Sequence, residues 1–257
     1  MADALIGHTG FVGSNLARQH EFQACFNTKN IAEIAGGRFD LLVCSGMPAV
    51  KWAANRQPWA DRASLDRLLG NLRRAEAEQV VVISTVDVYP NPVEVDEDSP
   101  INPLAQEPYG KHRHMLEQAV RAHFPRVLIL RLGGLFGTGL KKNAVYDLLH
   151  NNLVDKIDAN GVFQFYSLDH LWADIQKALA EGLELLNVTT EPFSIRDMAK
   201  EAFGIDFNNH LPTPPARYDF RSKHAATWGG RDGYLYLREQ VMSELRDFVA
   251  GERAGAP

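Results

Sequence analysis

Cysteine is scarce in this chain: two of 257 residues, Cys25 and Cys44. Both fall in apolar stretches of strand type and are expected to be packed free thiols. No paired-cysteine spacing for zinc exists, and no metal site is expected. A reducing compartment fits such a chain best. Long apolar runs are missing too. None approaches the roughly 18 residues that span a bilayer, so no membrane partner is expected. The opening Met1-Ala2-Asp3-Ala4-Leu5-Ile6-Gly7 has neither the basic region nor the apolar core of a signal peptide, and a cytoplasmic location is expected. Charge of one sign is also lacking. Lys and Arg number 27 against 32 Asp and Glu, a net charge of -5. That balance gives no basic face for nucleic acid.

The chain does have enough apolar residues, 45%, for one sizeable core with or without a small appendage. Disorder is expected only over the small, polar Gly251–Pro257. Short apolar runs alternate with longer amphipathic ones in the first half. Strands are expected at 4–6, 22–26, 39–44, 79–84 and 127–132, and helices at 10–20, 59–77 and 109–124. Unbroken apolar strands alternating with helices give a parallel sheet covered on both faces. The fold class is α/β, a Rossmann-type doubly wound parallel sheet with a small C-terminal substrate-binding region. Residues 1–140 are expected to form the dinucleotide-binding domain. Residues 141–257 are read as mixed segments completing the sheet and building the small domain. There, helices are expected at 141–152, 171–184, 194–203 and 237–249, and strands at 162–168 and 185–188.

Ligands of such sheets lie beyond the carboxyl ends of the strands. Three candidate segments sit there. The turn Gly7-His8-Thr9-Gly10-Phe11-Val12-Gly13 joins the first strand to the first helix. Its glycines would let backbone approach a pyrophosphate, and the helix start offers free N–H groups to phosphate. Ser84-Thr85-Val86-Asp87-Val88-Tyr89 follows a buried strand. Tyr109-Gly110-Lys111-His112-Arg113 opens a helix. A hydroxyl at a strand end and a tyrosine on the next helix can both reach a substrate carbonyl or alcohol. Together they could handle a proton while a nicotinamide handles a hydride.

These motifs, in this order, resemble the extended short-chain dehydrogenase/reductases, NAD(P)-dependent epimerases, dehydratases and reductases acting on nucleotide sugars. Leu130 to Gly137 and Phe163 to Leu171 are similar to later segments of that family, and the likeness spans roughly residues 4–205. It implies Thr85 and Tyr109 as catalytic residues, with Arg113 where the family has lysine. It implies cofactor contacts at Gly7, Gly10, Phe11, Val12, Gly13, Ser45, Gly46 and Gly134. Asn27 and Lys29 stand where a carboxylate would hold the ribose diol of NAD, and Lys29 favours NADP over NAD. Asp87, Arg217 and Arg221 are candidate substrate contacts. Members often pair, so a homodimer is expected.

Two departures shape the expected chemistry. Arg113 shares a helical face with Tyr109. It can orient the nicotinamide ribose and stay charged, but it cannot relay a proton. Bringing a tyrosine from about 10 to near 7 needs about 4 kcal/mol, so either slower chemistry or a Tyr109 used mainly as an acid is expected. Dehydratases of the family carry Asp-Glu after the catalytic Thr. Here Val86 and Asp87 stand there, which favours reduction or epimerisation. The competing expectation is an NAD(P)-binding sensor with little or no catalysis, motivated by Arg113. His112 and His114 are expected on a solvated face, and Trp52, after the third strand, as a packing residue beside Lys51 and Arg56.

Overall fold

A computed structural model describes residues 2–255. The chain divides into two interleaved units. The first holds the residues up to Pro90, Ser99–Leu132 and Asp169–Leu186, and the second Asn91–Asp98, Gly133–Leu168 and the residues from Asn187 onward.

The first unit is built on β1 (Ala2–Ile6), α1 (Phe11–Gln19), β2 (Ala24–Phe26), β3 (Arg38–Cys44), α2 (Lys51–Arg56), α3 (Pro58–Leu72), β4 (Glu76–Thr85), α4 (Pro108–His123), β5 (Val127–Leu132) and α6 (Leu171–Ala180). The helix between the last two in chain order, α5 (Ala144–His150), belongs to the second unit. With β9 (Leu185–Val188), the strands form one six-stranded sheet in the order β2-β1-β3-β4-β5-β9. The pairs from β2 to β5 are parallel. Every residue of β5 is buried, as its unbroken apolar run requires of a strand covered on both faces.

The chain moves from β1 to one side for β2, then to the other for β3. This reversal is the topological switch point, where ligands of such sheets bind. Ile6 pairs with Phe26 on one side and Cys44 on the other, so Gly7, Asn27 and Ser45 emerge together at one sheet edge.

Several sequence expectations shift. The helix expected over 59–77 stops at Leu72, and β4 begins at Glu76. Ala77 then pairs with Phe39. Helical propensity in Ala75-Glu76-Ala77 yields to sheet pairing. Lys51–Arg56 forms a helix of its own. Trp52 is 70% exposed and not a packing residue, because Ala54 is the residue that α2 buries. Cys44 is buried, whereas Cys25 is only half-buried.

The second unit contains β6 (Gly134–Phe136), α5, β7 (Val162–Phe163), β8 (Phe165–Ser167), β10 (Phe193–Ser194), α7 (Ile195–Met198) and α8 (Arg238–Gly255). Its core is aromatic and aliphatic, with Phe136, Phe165, Phe193, Ile195, Met198, Val241 and Leu245 fully or nearly buried. The strand expected over 162–168 is two strands in different sheets. β7 pairs with β10 and β8 with β6. At the break, Gln164 is buried and turns its amide to the backbone of Thr190 and Phe220. The helix expected over 194–203 loosens into a π-helical turn at Ala199–Phe203. The last helix runs to Gly255, so the disorder expected from Gly251 does not hold there. Its apolar face, Val241, Met242, Leu245 and Val249, anchors it in this core. Residues 256 and 257 lie outside the described part.

The segment 91–98 is tied to this unit by backbone bonds to Asp219 and Arg221 and by one carboxylate with three partners. Glu97 accepts from the Asn187 N–H at 2.8 Å, the Ser222 hydroxyl at 2.6 Å and the Lys223 N–H at 2.9 Å.

Candidate active site

The glycine turn leaves β1 with Gly7 in the left-handed region, at φ +88°. Its N–H donates to the Phe26 carbonyl at 2.7 Å, and a Cβ there would collide with Ser45. A Cβ on Gly13 would overlap the Gly7 carbonyl, so only glycine lets α1 start this close to the strand. Gly10 caps α1 without any side-chain hydrogen bond. The N–H groups of Phe11, Val12 and Gly13 therefore form a helix start with no intrahelical acceptor, suited to an anion.

Around this turn, the Ser45 hydroxyl donates back to the Ile6 carbonyl at 2.9 Å. Gly46 fits against Ile6 and Leu68, where a Cβ would stand 2.9 Å from a methyl of Ile6. At the end of β2, the Asn27 side chain accepts from the Lys29 N–H at 2.8 Å and lies 3.5 Å from His8 Nε2. Lys29 is exposed. Among the described residues, the run Asn27–Asn30 after β2 offers the cradle no carboxylate.

Thr85 ends β4. Its Oγ1 accepts from the Asp87 N–H at 3.2 Å, capping a short 3-10 turn at Val86–Val88. Tyr109 is the second residue of α4. Its side chain lies beside that of Thr85. Gly110 makes this approach close: a Cβ there would overlap the Asp87 carbonyl. Asn55 of α2 caps the helix from outside by accepting the Tyr109 N–H at 2.9 Å.

Burial pushes the Tyr109 phenol above its ordinary value. Arg113, Lys51 and the nearby Thr85 hydroxyl oppose this, and Asp87 reinforces it. The phenol is therefore protonated at neutral pH, the state of a proton donor.

Arg113 is one turn on and 3% exposed. Its Nη1 donates to Asp61 Oδ2 at 2.5 Å and to the Tyr109 carbonyl at 3.1 Å, and its Nη2 donates to the Pro48 carbonyl. The guanidinium carbon lies 3.9 Å from the centre of the Tyr109 ring, a stacking contact that favours the cation over the ring face. Asp61, on α3, also faces His112 Nδ1 at 2.7 Å. His112 is thus buried, not solvated, because it and Arg113 share one buried carboxylate. His114 is half-buried, and loss of hydration lowers its pKa.

A second buried network lies further along the same face of α4. Glu117 accepts from the Ser84 hydroxyl at 2.5 Å and from Arg131 at 2.6 and 3.1 Å. Arg131 also donates to the Tyr89 hydroxyl at 2.7 Å. Ser84 is thereby taken up by Glu117. Tyr109, Arg113 and Glu117 recur at intervals of four and share one helical stripe.

Asp87 faces Lys51 Nζ at 2.6 Å. The first unit thus brings together Thr85, Asp87, Tyr109 and Arg113, and separately the glycine turn with Asn27, Ser45 and Gly46. The other three candidates belong to the second unit. Gly134 opens β6, with its N–H on the Gln164 carbonyl at 3.0 Å. Arg217 is exposed. Arg221 reaches Asp219 at 3.5 Å and the Asp232 carbonyl at 3.2 Å. Asp219 in turn accepts from the Tyr234 hydroxyl at 2.6 Å. Asp61, Asn55 and Gly110 were not identified as site residues from the sequence. Asp61 and Asn55 reach Tyr109 and Arg113 only through folding and carry no local motif. Gly110 does lie inside the Tyr109–Arg113 motif, where a glycine in a first helical turn is the available signal.

Residues 46–167 match the model of the NAD dependent epimerase/dehydratase family. No curated protein sequence matches the chain. Three solved structures illustrate the likeness in fold. TunA, an NAD dependent NDP-hexosamine 5,6-dehydratase involved in tunicamycin biosynthesis, is 18% identical with a TM-score of 0.73, covering 100% of this chain and 99% of its own. RMD from Pseudomonas aeruginosa, complexed with NADPH, is 15% identical with a TM-score of 0.74 and full coverage of both chains. The UDP-N-acetylglucosamine 4-epimerase from Methanobrevibacter ruminantium is 12% identical with a TM-score of 0.73, again over both chains entirely. Residues 46–167 are thus similar to the NAD dependent epimerase/dehydratase family, and the chain shares the fold of these solved structures.

Proposed function

We propose that this protein is an NAD(P)-dependent reductase or epimerase of nucleotide sugars, with Tyr109 as the proton donor or acceptor. The observation that carries this reading is the neighbouring pair of Thr85 and Tyr109 at the end of β4, on the sheet whose switch point holds the glycine cradle. The cradle suits a dinucleotide: the Gly7 and Gly13 positions, where a Cβ would collide, leave backbone open to a pyrophosphate. Gly7, Gly10, Phe11, Val12, Gly13, Ser45 and Gly46 would hold it. With no carboxylate after β2, and Lys29 there instead, NADP is favoured over NAD. The cofactor's contribution there is a hydride exchanged with a sugar carbon.

The chain's own residues manage the proton. Thr85 hydrogen-bonds the reacting oxygen. Tyr109, held in its acid form by burial, gives that oxygen a proton in the reductive direction. Arg113 acts on Tyr109 and not on substrate: stacked on the ring and tied to Asp61, it fixes the phenol's direction. Arg217 and Arg221 are candidate contacts for the substrate diphosphate. Two neighbouring structures support the substrate class, since MoeE5 was solved with UDP-glucose and NAD and the 4-epimerase with UDP-N-acetylmuramic acid.

The test is turnover of UDP- and dTDP-linked hexoses, and their 4-keto forms, with NADH and NADPH. Tyr109→Phe is expected to lower it by about 10²-fold or more while cofactor binding persists. Unchanged turnover in Tyr109→Phe would remove Tyr109 from the chemistry. A second reading, an NAD(P) sensor, rests on Arg113 being fully engaged by Asp61 and Pro48 where a lysine would be expected. Cofactor binding with no turnover on the whole panel would favour it.

A further inference from the structure

His8 belongs to the glycine turn, yet neither the cradle nor the neighbouring pair of Thr85 and Tyr109 gives it a task. It follows Gly7 and is half-buried. Its ring reaches across to the end of β2, with Nδ1 3.1 Å from the Phe26 carbonyl and Nε2 3.5 Å from Asn27 Nδ2. A carbonyl only accepts, so Nδ1 carries a hydrogen. The Asn27 amide is oriented by its other bond. Its oxygen accepts the Lys29 N–H at 2.8 Å, which turns its NH2 toward His8. In the neutral ring Nε2 therefore presents a lone pair, and its contact with Asn27 is at the long limit of hydrogen bonding. His8 thus bridges the glycine cradle and the end of β2, the stretch that the adenosine ribose of a dinucleotide spans.

We propose that His8 is a specificity-determining residue that reads the 2′ position of the adenosine ribose and selects a 2′-phosphate. The proposal rests on the reading that the cradle binds NAD(P). Residues 27–30 hold no carboxylate for a ribose diol, and His8 brings a titratable ring to that place. Beside a phosphate, Nε2 takes a proton from solvent. One N–H bond forms, one proton leaves the medium, and no electrons move. The imidazolium then donates to the phosphate through Nε2 while Nδ1 keeps the Phe26 carbonyl. A 2′-hydroxyl is uncharged and draws no such proton. The groups around His8 favour an anion. Exposed Lys29 and the start of α1 bring positive charge, and Asn27 and Asn30 are neutral. Asn30 holds Asn27 by accepting its N–H at 2.7 Å. Glu33, on the turn that follows, is exposed.

Calorimetry of the full chain with NADPH and with NADH tests this without any turnover. Each titration is run at about pH 7.5, above the ordinary histidine value, in two buffers of different ionisation enthalpy, whose difference counts the protons taken up. The wild type is expected to bind NADPH about 10-fold or more tighter than NADH, with net proton uptake for NADPH alone. His8→Gln keeps a hydrogen-bonding side chain without the charge. It is expected to lose most of the preference and the proton uptake while NADH still binds. His8→Lys, already charged at this pH, is expected to keep the preference without the uptake. An unchanged NADPH-to-NADH ratio in His8→Gln, proton uptake that survives there, no preference in His8→Lys, or no preference in the wild type would each overturn the proposal and leave the cofactor reading intact. A wild type that binds neither dinucleotide would overturn both.

Discussion

Replacing Arg113 with methionine, which nearly preserves its length, tests whether this residue is built into the fold. Arg113 and Asp61 are both 3% exposed at the side chain and meet at 2.5 Å. Removing one partner of such a pair strands the other as a buried charge, at a cost of about 3–5 kcal/mol. Solvent screening gives little relief at this burial. His112 remains beside Asp61 at 2.7 Å. In a chain of this length each kcal/mol moves the midpoint by about 2–4 °C, so Tm should fall by roughly 6–20 °C. Urea unfolding followed by tryptophan fluorescence reads the right unit, because Trp52, Trp59 and Trp172 all lie in it. Adding Asp61→Leu to Arg113→Met should restore stability relative to Arg113→Met alone, since no charge is then left unpaired. A loss below about 1 kcal/mol, the range of exposed pairs, would refute the reasoning. It would mean that Arg113 is free of structural duty and available to a ligand.

Other expectations are as direct. Gly13→Ala should abolish cofactor binding by calorimetry, because its Cβ overlaps the Gly7 carbonyl and forces α1 off the strand. Gly110→Ala should push α4 away from the Asp87 carbonyl and lower turnover while the glycine turn still binds cofactor. The Tyr109 phenol, raised above its ordinary value by burial, stays protonated to higher pH than a free tyrosine. Its 13Cζ signal should shift on ionisation at a higher pH than that of a free tyrosine. Cys44, buried and pushed up to about 11, should resist thiol reagents at pH 8 in the native protein and react after unfolding. Fast native reaction at Cys44 would contradict that burial.

The sequence by itself determined the α/β class, because its periodicities are local: unbroken apolar strands at 39–44 and 127–132, amphipathic helices between them, and a glycine turn that only a strand-to-helix junction uses. Thr85 and Tyr109 were legible for the same reason, each lying just past a strand or at a helix start. Elements without strong local patterning were misplaced. Ala75-Glu76-Ala77 has helical propensity and became strand because β3 offered pairing partners. Val162 to Leu168 reads as one strand but divides at Gln164, whose amide is claimed by Thr190 and Phe220. The environment of the catalytic candidates was decided only in three dimensions. Nothing in His112-Arg113 announces a carboxylate some 50 residues earlier, and nothing in Lys51 announces Asp87. Spacing along one helix fixes which residues share a face. What that face meets depends on which helix the sheet brings against it, and here α3 brought Asp61, which engages Arg113 and buries His112.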